Sequence, residues 1–189
     1  GRVQYKTKTL QLSASTRASF NANSVAISAY SSRSHNHSLD GSWAPRGWLS
    51  PWIAESRTTP DLLAEAGYRY TLNWCADDAP IWMRTRSGPI LCVPYPIELN
   101  DIGNQIMRHE SPPDFADMIV SQFEEMVRQS ERQPLVMNIS LHPYIFGQPF
   151  RVWHLRKALA HCRNHPLADR VWWTRPGEVA SYCETLAPG

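Results

Sequence analysis

Between residues 59 and 186 the apolar positions fall into two kinds of short run, and the two kinds take turns. Helical spacing is clearest over residues 111–130, where Phe115, Met118, Ile119, Phe123, Met126 and Val127 mark one face. Ser111-Pro112-Pro113-Asp114 supplies its start, with serine as cap, proline in the first turn, and an acid three residues on to return the hydrogen bond. Thr59, Pro60 and Asp61 open a shorter helix in the same way, with Thr59 as cap, and Gly67 ends it as a residue that tolerates the left-handed conformation. Val152, Leu155, Leu159 and Cys162 give a third helical face, and Pro176 with Glu178 opens a fourth helix that runs through Tyr182. Strand patterns lie between them. Residues 68–74 alternate β-rich side chains, and residues 90–93 and 171–174 are short apolar runs.

The central run is residues 135–141, apolar with a polar interruption at Asn138 and only seven residues long, which is how a strand buried on both faces reads. His142-Pro143 ends it, because proline cannot donate to a strand ladder. A histidine at the carboxyl end of a buried strand stands where α/β proteins place their chemistry. The plainer alternative is a histidine that merely caps the strand by bonding to a loop. Alternating helix and strand predict an α/β fold with a parallel sheet or barrel. About four strands are visible, too few to close a barrel, so the pattern is that of the second half of something larger.

Residues 1–41 break this texture. They are rich in Ser, Asn, Ala and Thr, show no sustained period, and are expected to be a disordered or unrelated extension ahead of a domain spanning 42–189. Arg2, Lys6, Lys8, Arg17 and Arg33 make the stretch basic and acid-poor, as an organelle transit peptide also is, and a wrong reading frame would scramble pattern in the same manner. Residue 1 is glycine and the first methionine is Met83, from which a fragment or a processed product is expected. From Asp40 onward, 14 of the 19 basic residues meet all 17 acids, a net of −3 that argues against nucleic acid as a partner. No apolar run reaches the length of a membrane span. Cys75, Cys92, Cys162 and Cys183 are widely spaced, fitting neither a zinc ribbon nor a disulfide framework, and point to buried thiols in a reducing, cytoplasmic compartment. His35 and His37 are a weak metal-ligand pair; His154, His161 and His165 read as surface or boundary residues.

Three blocks carry a resemblance: GWLSPW at 47–52, CADDAPIW at 75–82 and ISLHPYIFGQPFR at 139–151. In this order they resemble blocks of the polysaccharide deacetylase (NodB-homology) family, and more narrowly its branch of allantoinase-like and peptidoglycan-deacetylase-like proteins. The resemblance runs from about Pro45 to Tyr182 and implies the C-terminal portion of an irregular (β/α) barrel with a poorly patterned N-terminal extension. It implies hydrolysis of a non-peptide C–N (amide) bond, in a glycan or small-molecule substrate, assisted by a divalent, zinc-like metal that polarises the carbonyl and activates water. By the resemblance His142 matches the residue that protonates the leaving amine, and Asp77 or Asp78 the carboxylate that tunes it. Trp82 and Leu141 match apolar pocket positions, and Trp48 either packs beneath the motif loop or contacts substrate.

The departures matter as much. The family's opening T-F-D-D-G-type block, with its base and first metal ligand, is absent, and His35 and His37 echo the second block with the wrong spacing. An arginine usual two residues before Gly47 is replaced by Pro45, with Arg46 one place later. Two functions remain in view: a deacetylase-like hydrolase of which this chain carries the acid half, or a non-catalytic remnant or glycan-binding relative. Within the first, an allantoinase-like cyclic amide hydrolase is the alternative, with a metal or with none.

Overall fold

The structure is a computed structural model that describes residues 25–31 and 45–186. The first expected element is also the most regular. Helix α2 spans Pro112–Gln129 and opens on a reciprocal capping box, in which the Ser111 hydroxyl accepts from the Asp114 backbone and the Asp114 carboxylate from the Ser111 backbone. Its apolar stripe is fully buried at Phe115, Ile119 and Phe123. Helix α1, Thr59–Glu65, ends as expected at Gly67, whose φ is +86°. Thr59 is its first helical residue rather than its cap, and its hydroxyl accepts from the Ser56 backbone at 2.9 Å. Helices α3 (Pro143–Phe146), α4 (Pro149–Arg163) and α5 (Pro176–Cys183) complete the α-helices among the described residues.

Among the described residues seven strands lie in two sheets: β1 (Val25–Ser31), β2 (Gly47–Trp48), β3 (Tyr70–Thr71), β4 (Ile81–Thr85), β5 (Gly88–Cys92), β6 (Leu135–Leu141) and β7 (Val171–Thr174). One sheet has the order β6-β1-β7, all parallel; the other has the order β2-β3-β5-β4, with β4 antiparallel to β5 and the rest parallel. The free edge of β6 is covered by the segment that follows β5 and by the loop after β3: Ser140 N donates to Leu99 O and Val136 N to Asp78 O, both at 2.8 Å. This is a mixed α/β fold, as the alternation of patterns predicts.

Three strands escaped that pattern, the two-residue β2 among them. Val25–Ser31 lies in the stretch where no element was marked, yet it pairs in register with β6 from Val25↔Leu135 to Ser31↔Leu141 and with β7 from Val25↔Val171 to Ser28↔Thr174. A strand with a parallel partner on each side is decided by pairing, which readily outweighs a weak local signal. Strand β4 was also unmarked; its side chains are exposed or half-buried, so no alternation records a core face. The expected strand over 68–74 contracts to Tyr70–Thr71.

Strand β6 divides the interior. Leu135, Met137 and Ile139 join Phe115, Ile119, Phe123, Leu155 and Cys162 in a core between the sheet and helices α2 and α4. Val136 joins a second cluster with Leu72, Leu91, Val93, Tyr95, Val179 and Ala180, which ties the two sheets together. On the outer surface Glu124 of α2 binds His161 of α4 at 2.5 Å and His165 at 3.4 Å, so these two histidines tie α4 and the turn after it to α2. The hydrogen bond from His161, followed by the charge of His165, holds the Glu124 carboxyl below its ordinary range. Among the described residues no helix is long and apolar enough to cross a membrane.

Phe123 fixes α2 to β6. Phe123→Ala is expected to lower unfolding stability by about 3–5 kcal/mol, the usual cost of emptying a buried aromatic site. Chemical denaturation followed by tryptophan fluorescence measures this, and a loss below about 1 kcal/mol would show that the helix layer does not depend on this ring.

Candidate active site

A strand of period two sends alternate side chains to opposite faces. In β6 the odd positions pack on the helices, so Val136, Asn138, Ser140 and, at the end of the run, His142 lie on the other face. Asn138 and Ser140 are each 1% exposed, which makes this a buried polar line leading to the histidine. Tyr95 and Ser140 share a short hydrogen bond between hydroxyls, and Asn138 Nδ2 donates to Pro94 O at 3.3 Å.

His142 is held at two points by one carboxylate. Its backbone N donates to Asp101 Oδ2 at 2.7 Å, and its ring Nδ1 lies 2.6 Å from Asp101 Oδ1. The Asp101 side chain is wholly buried, while that of His142 is 21% exposed. An ionised carboxylate only accepts, so Nδ1 carries the hydrogen and Nε2 is left as the ring atom available to another group. Asp101 stands where β5 has run on through residues 94–100 to pair with β6, immediately before the π-helical turn Ile102–Met107. Tyr144 packs edge-on to the imidazole at 5.7 Å.

Asp101 was not singled out by the sequence, which assigned the tuning carboxylate to Asp77 or Asp78. Those two lie on the exposed loop after β3, where Asp77 Oδ1 accepts from the Asp78 backbone at 2.6 Å, and the carboxylate that His142 meets is that of Asp101. The only available signal was an acid shortly after a strand end, and nothing local links it to a histidine 41 residues later.

The remaining expected residues separate. Leu141 packs against the helix-side core, because its odd position turns it away from the polar face of β6. Trp48 packs edge-on against Tyr68 at 5.3 Å and donates through Nε1 to Ser50 Oγ at 2.8 Å, the arrangement of a residue that shapes its loop. Gly47 before it has no room for a side chain: a Cβ there would meet the Tyr70 ring at 2.0 Å. Trp82 is half exposed on β4, across from Leu91. Arg46 is engaged elsewhere, binding Glu184 at 2.9 Å and Ser181 at 3.2 Å beside the end of α5. Trp52, Trp74 and Tyr144, which follow β2, β3 and β6, are all exposed and rim the carboxyl ends of these strands.

The described residues do not fit a divalent metal: among them no group of three or more His, Cys, Asp or Glu side chains is placed to hold one. His35 and His37 lie outside the described residues.

Asp101→Asn should reverse the histidine tautomer. The new amide oxygen can still take the His142 backbone N–H, which turns its NH2 toward Nδ1 and leaves the ring hydrogen on Nε2. Long-range nitrogen–proton NMR on the imidazole is expected to show hydrogen on Nδ1 in the parent and on Nε2 in the variant; an unchanged tautomer would mean that Asp101 does not set it.

No protein-family model matches the chain, and no curated protein matches it in sequence. Solved structures do. The Puue allantoinase structure is similar over 77% of this chain and 48% of its own, with a TM-score of 0.69 and 24% identity. A probable polysaccharide deacetylase from Pseudomonas aeruginosa PAO1 is similar over 77% and 48%, with a TM-score of 0.67 and 23% identity. A putative polysaccharide deacetylase from Mycobacterium smegmatis follows at 76% and 51%, with a TM-score of 0.63 and 22% identity. The chain thus spans about half the length of the structures it matches, and over that span its fold is the NodB-like deacetylase fold that they share.

Proposed function

We propose that this chain carries the proton-donating part of a deacetylase-like hydrolase acting on non-peptide C–N (amide) bonds. The observation that supports it is the His142–Asp101 pair at the carboxyl end of β6. Amide nitrogen is a poor leaving group until it is protonated, and an oriented imidazole is the side chain best suited to deliver that proton near neutral pH. Asp101 holds the ring by its Nδ1–H edge, and the proton transferred is the one Nε2 carries in the imidazolium, whose charge the Asp101 carboxylate offsets and which becomes the neutral Nδ1–H tautomer once the leaving nitrogen has taken it. In this reading Asp101 takes the supporting role first expected of Asp77 or Asp78, and the two sheets are arcs of an irregular (β/α) barrel with its site at the carboxyl ends of the strands. The structural neighbours are a polysaccharide deacetylase class and an allantoinase, which makes a glycan amide or a cyclic ureide the substrate classes to try. The lack of a metal-holding group among the described residues favours a second reading, a glycan-binding relative without turnover.

The test assays the full chain for amine release from an N-acetylated chitooligosaccharide and for ring opening of allantoin, each with and without zinc. On the first reading one substrate turns over, and His142→Ala lowers the rate by about a hundredfold or more without altering the melting curve. Turnover indifferent to His142→Ala would remove the histidine from the mechanism, whereas saturable glycan binding with no turnover is the outcome of the second reading.

A further inference from the structure

A cleft of about 370 Å3 opens between the loop after β3, residues 94–99, and the first half of β6. Asp77, Asp78 and Glu98 stand at its rim, and none of the three has a cationic partner among the described residues. They sense one another. Although Asp78 as a residue is exposed, partial desolvation, then the charges of Asp77 and Glu98, push its carboxyl above the usual range. Burial and Glu98 likewise push up the Cys75 thiol, which donates to Tyr95 O at 2.6 Å across the cleft wall.

The floor holds the second, independent observation. Asn138 is 1% exposed, and its Nδ2 is committed to Pro94 O. Its Oδ1 is buried with no hydrogen-bond partner, and Asn138 is one of the residues that line the cleft. A buried acceptor left unmade is costly, and in native proteins it is normally matched by a ligand, a water or another group. A partner for this site needs positive charge to answer the carboxylates, N–H or O–H hydrogens to reach an acceptor, and a carbon body to cover Val136, Met137 and Leu99. A bare divalent ion meets only the first requirement, lacks a converging set of ligands here, and is far smaller than the space.

We propose that this cleft binds a small primary ammonium compound, with its N–H groups on Asn138 Oδ1 and its charge held by Asp78 and Glu98. Asn138 lies four residues before His142 on the same face of β6, roughly 13 Å away at the rise of a strand. A primary amine is what amide hydrolysis leaves behind. The assignment of the ligand as an amine product, or as an already deacetylated part of a longer substrate, therefore rests on the hydrolase reading; the ammonium site itself does not.

The experiment titrates the full chain carrying His142→Ala with glucosamine, and with uncharged N-acetylglucosamine in parallel, followed by nitrogen–proton NMR. Expected are saturable shifts at the Asn138 side-chain amide and over residues 75–78 with glucosamine and none with N-acetylglucosamine. Binding should weaken about fivefold in Asp78→Asn and again in Glu98→Gln, two rim positions whose substitution leaves the melting curve in place. The proposal is overturned by equal shifts from N-acetylglucosamine, by binding indifferent to both substitutions, by no saturable response, or by magnesium producing the same shifts at lower concentration. Because His142 is absent from the protein tested, failure here leaves the hydrolase reading standing, and failure of the activity assay leaves the ammonium site standing.

Discussion

The strict alternation of β6 is the constraint from which the rest of the structure follows. A register slip of one residue would carry Asn138 and Ser140 into the helix-side core and strand Leu135, Met137 and Ile139 on the polar side. The register is therefore pinned from both edges, by the seven paired positions of β1 on one side and by the bonds from Val136 to Asp78 and Ser140 to Leu99 on the other. The second pair of bonds does more than cover an edge. It brings the chain that leaves β5 alongside the end of β6, and Asp101 arrives beside His142 as a consequence.

Asp101 shows what that arrival achieves. A buried carboxylate is costly unless its oxygens are satisfied, and here each oxygen takes one N–H from the same residue. One bond fixes the backbone where strand gives way to helix α3, and the other fixes the ring. The imidazole consequently has little freedom to rotate away, although its far edge remains partly open. A histidine used only to close a strand end would need the first bond and not the second.

How much of this was legible depends on whether the signal was local. Helix α2 could be read because its cap, its first-turn proline and its apolar stripe all lie within twenty residues and agree. Strand β6 and the place of His142 could be read because an apolar run stopped by His-Pro has few other uses. Val25–Ser31 could not, since its partners lie more than a hundred residues away and supply the stability that its own composition does not advertise. The pairing of Asp101 with His142 is likewise a property of how β5 and β6 are joined. Asp77 and Asp78 were singled out because their block matches one of the resemblance, and a match along the sequence does not report which acid lies beside His142 in space. Leu141 was assigned to the pocket by the resemblance, whereas in this strand its odd position packs it on the helix-side core.

The polar face of β6 finally separates what the strand does for stability from what it does for chemistry. Its other face is wholly apolar, and Val136 shows that the polar face can also accept an aliphatic side chain at its amino end. Yet the next two positions on that face are Asn138 and Ser140, almost fully buried, at sites where a valine would cost less. Ser140 is satisfied by the Tyr95 hydroxyl and half of Asn138 by Pro94, so polarity is retained even where packing alone would not require it. The sequence of states along this face, apolar, half satisfied, satisfied, then a histidine oriented by a buried acid, runs toward the strand's carboxyl end. A strand whose only task was to hold two layers together would have no reason to keep such a gradient, and on the function proposed above that gradient separates the part of this face near Val136, which packs, from the part near His142, which is polar.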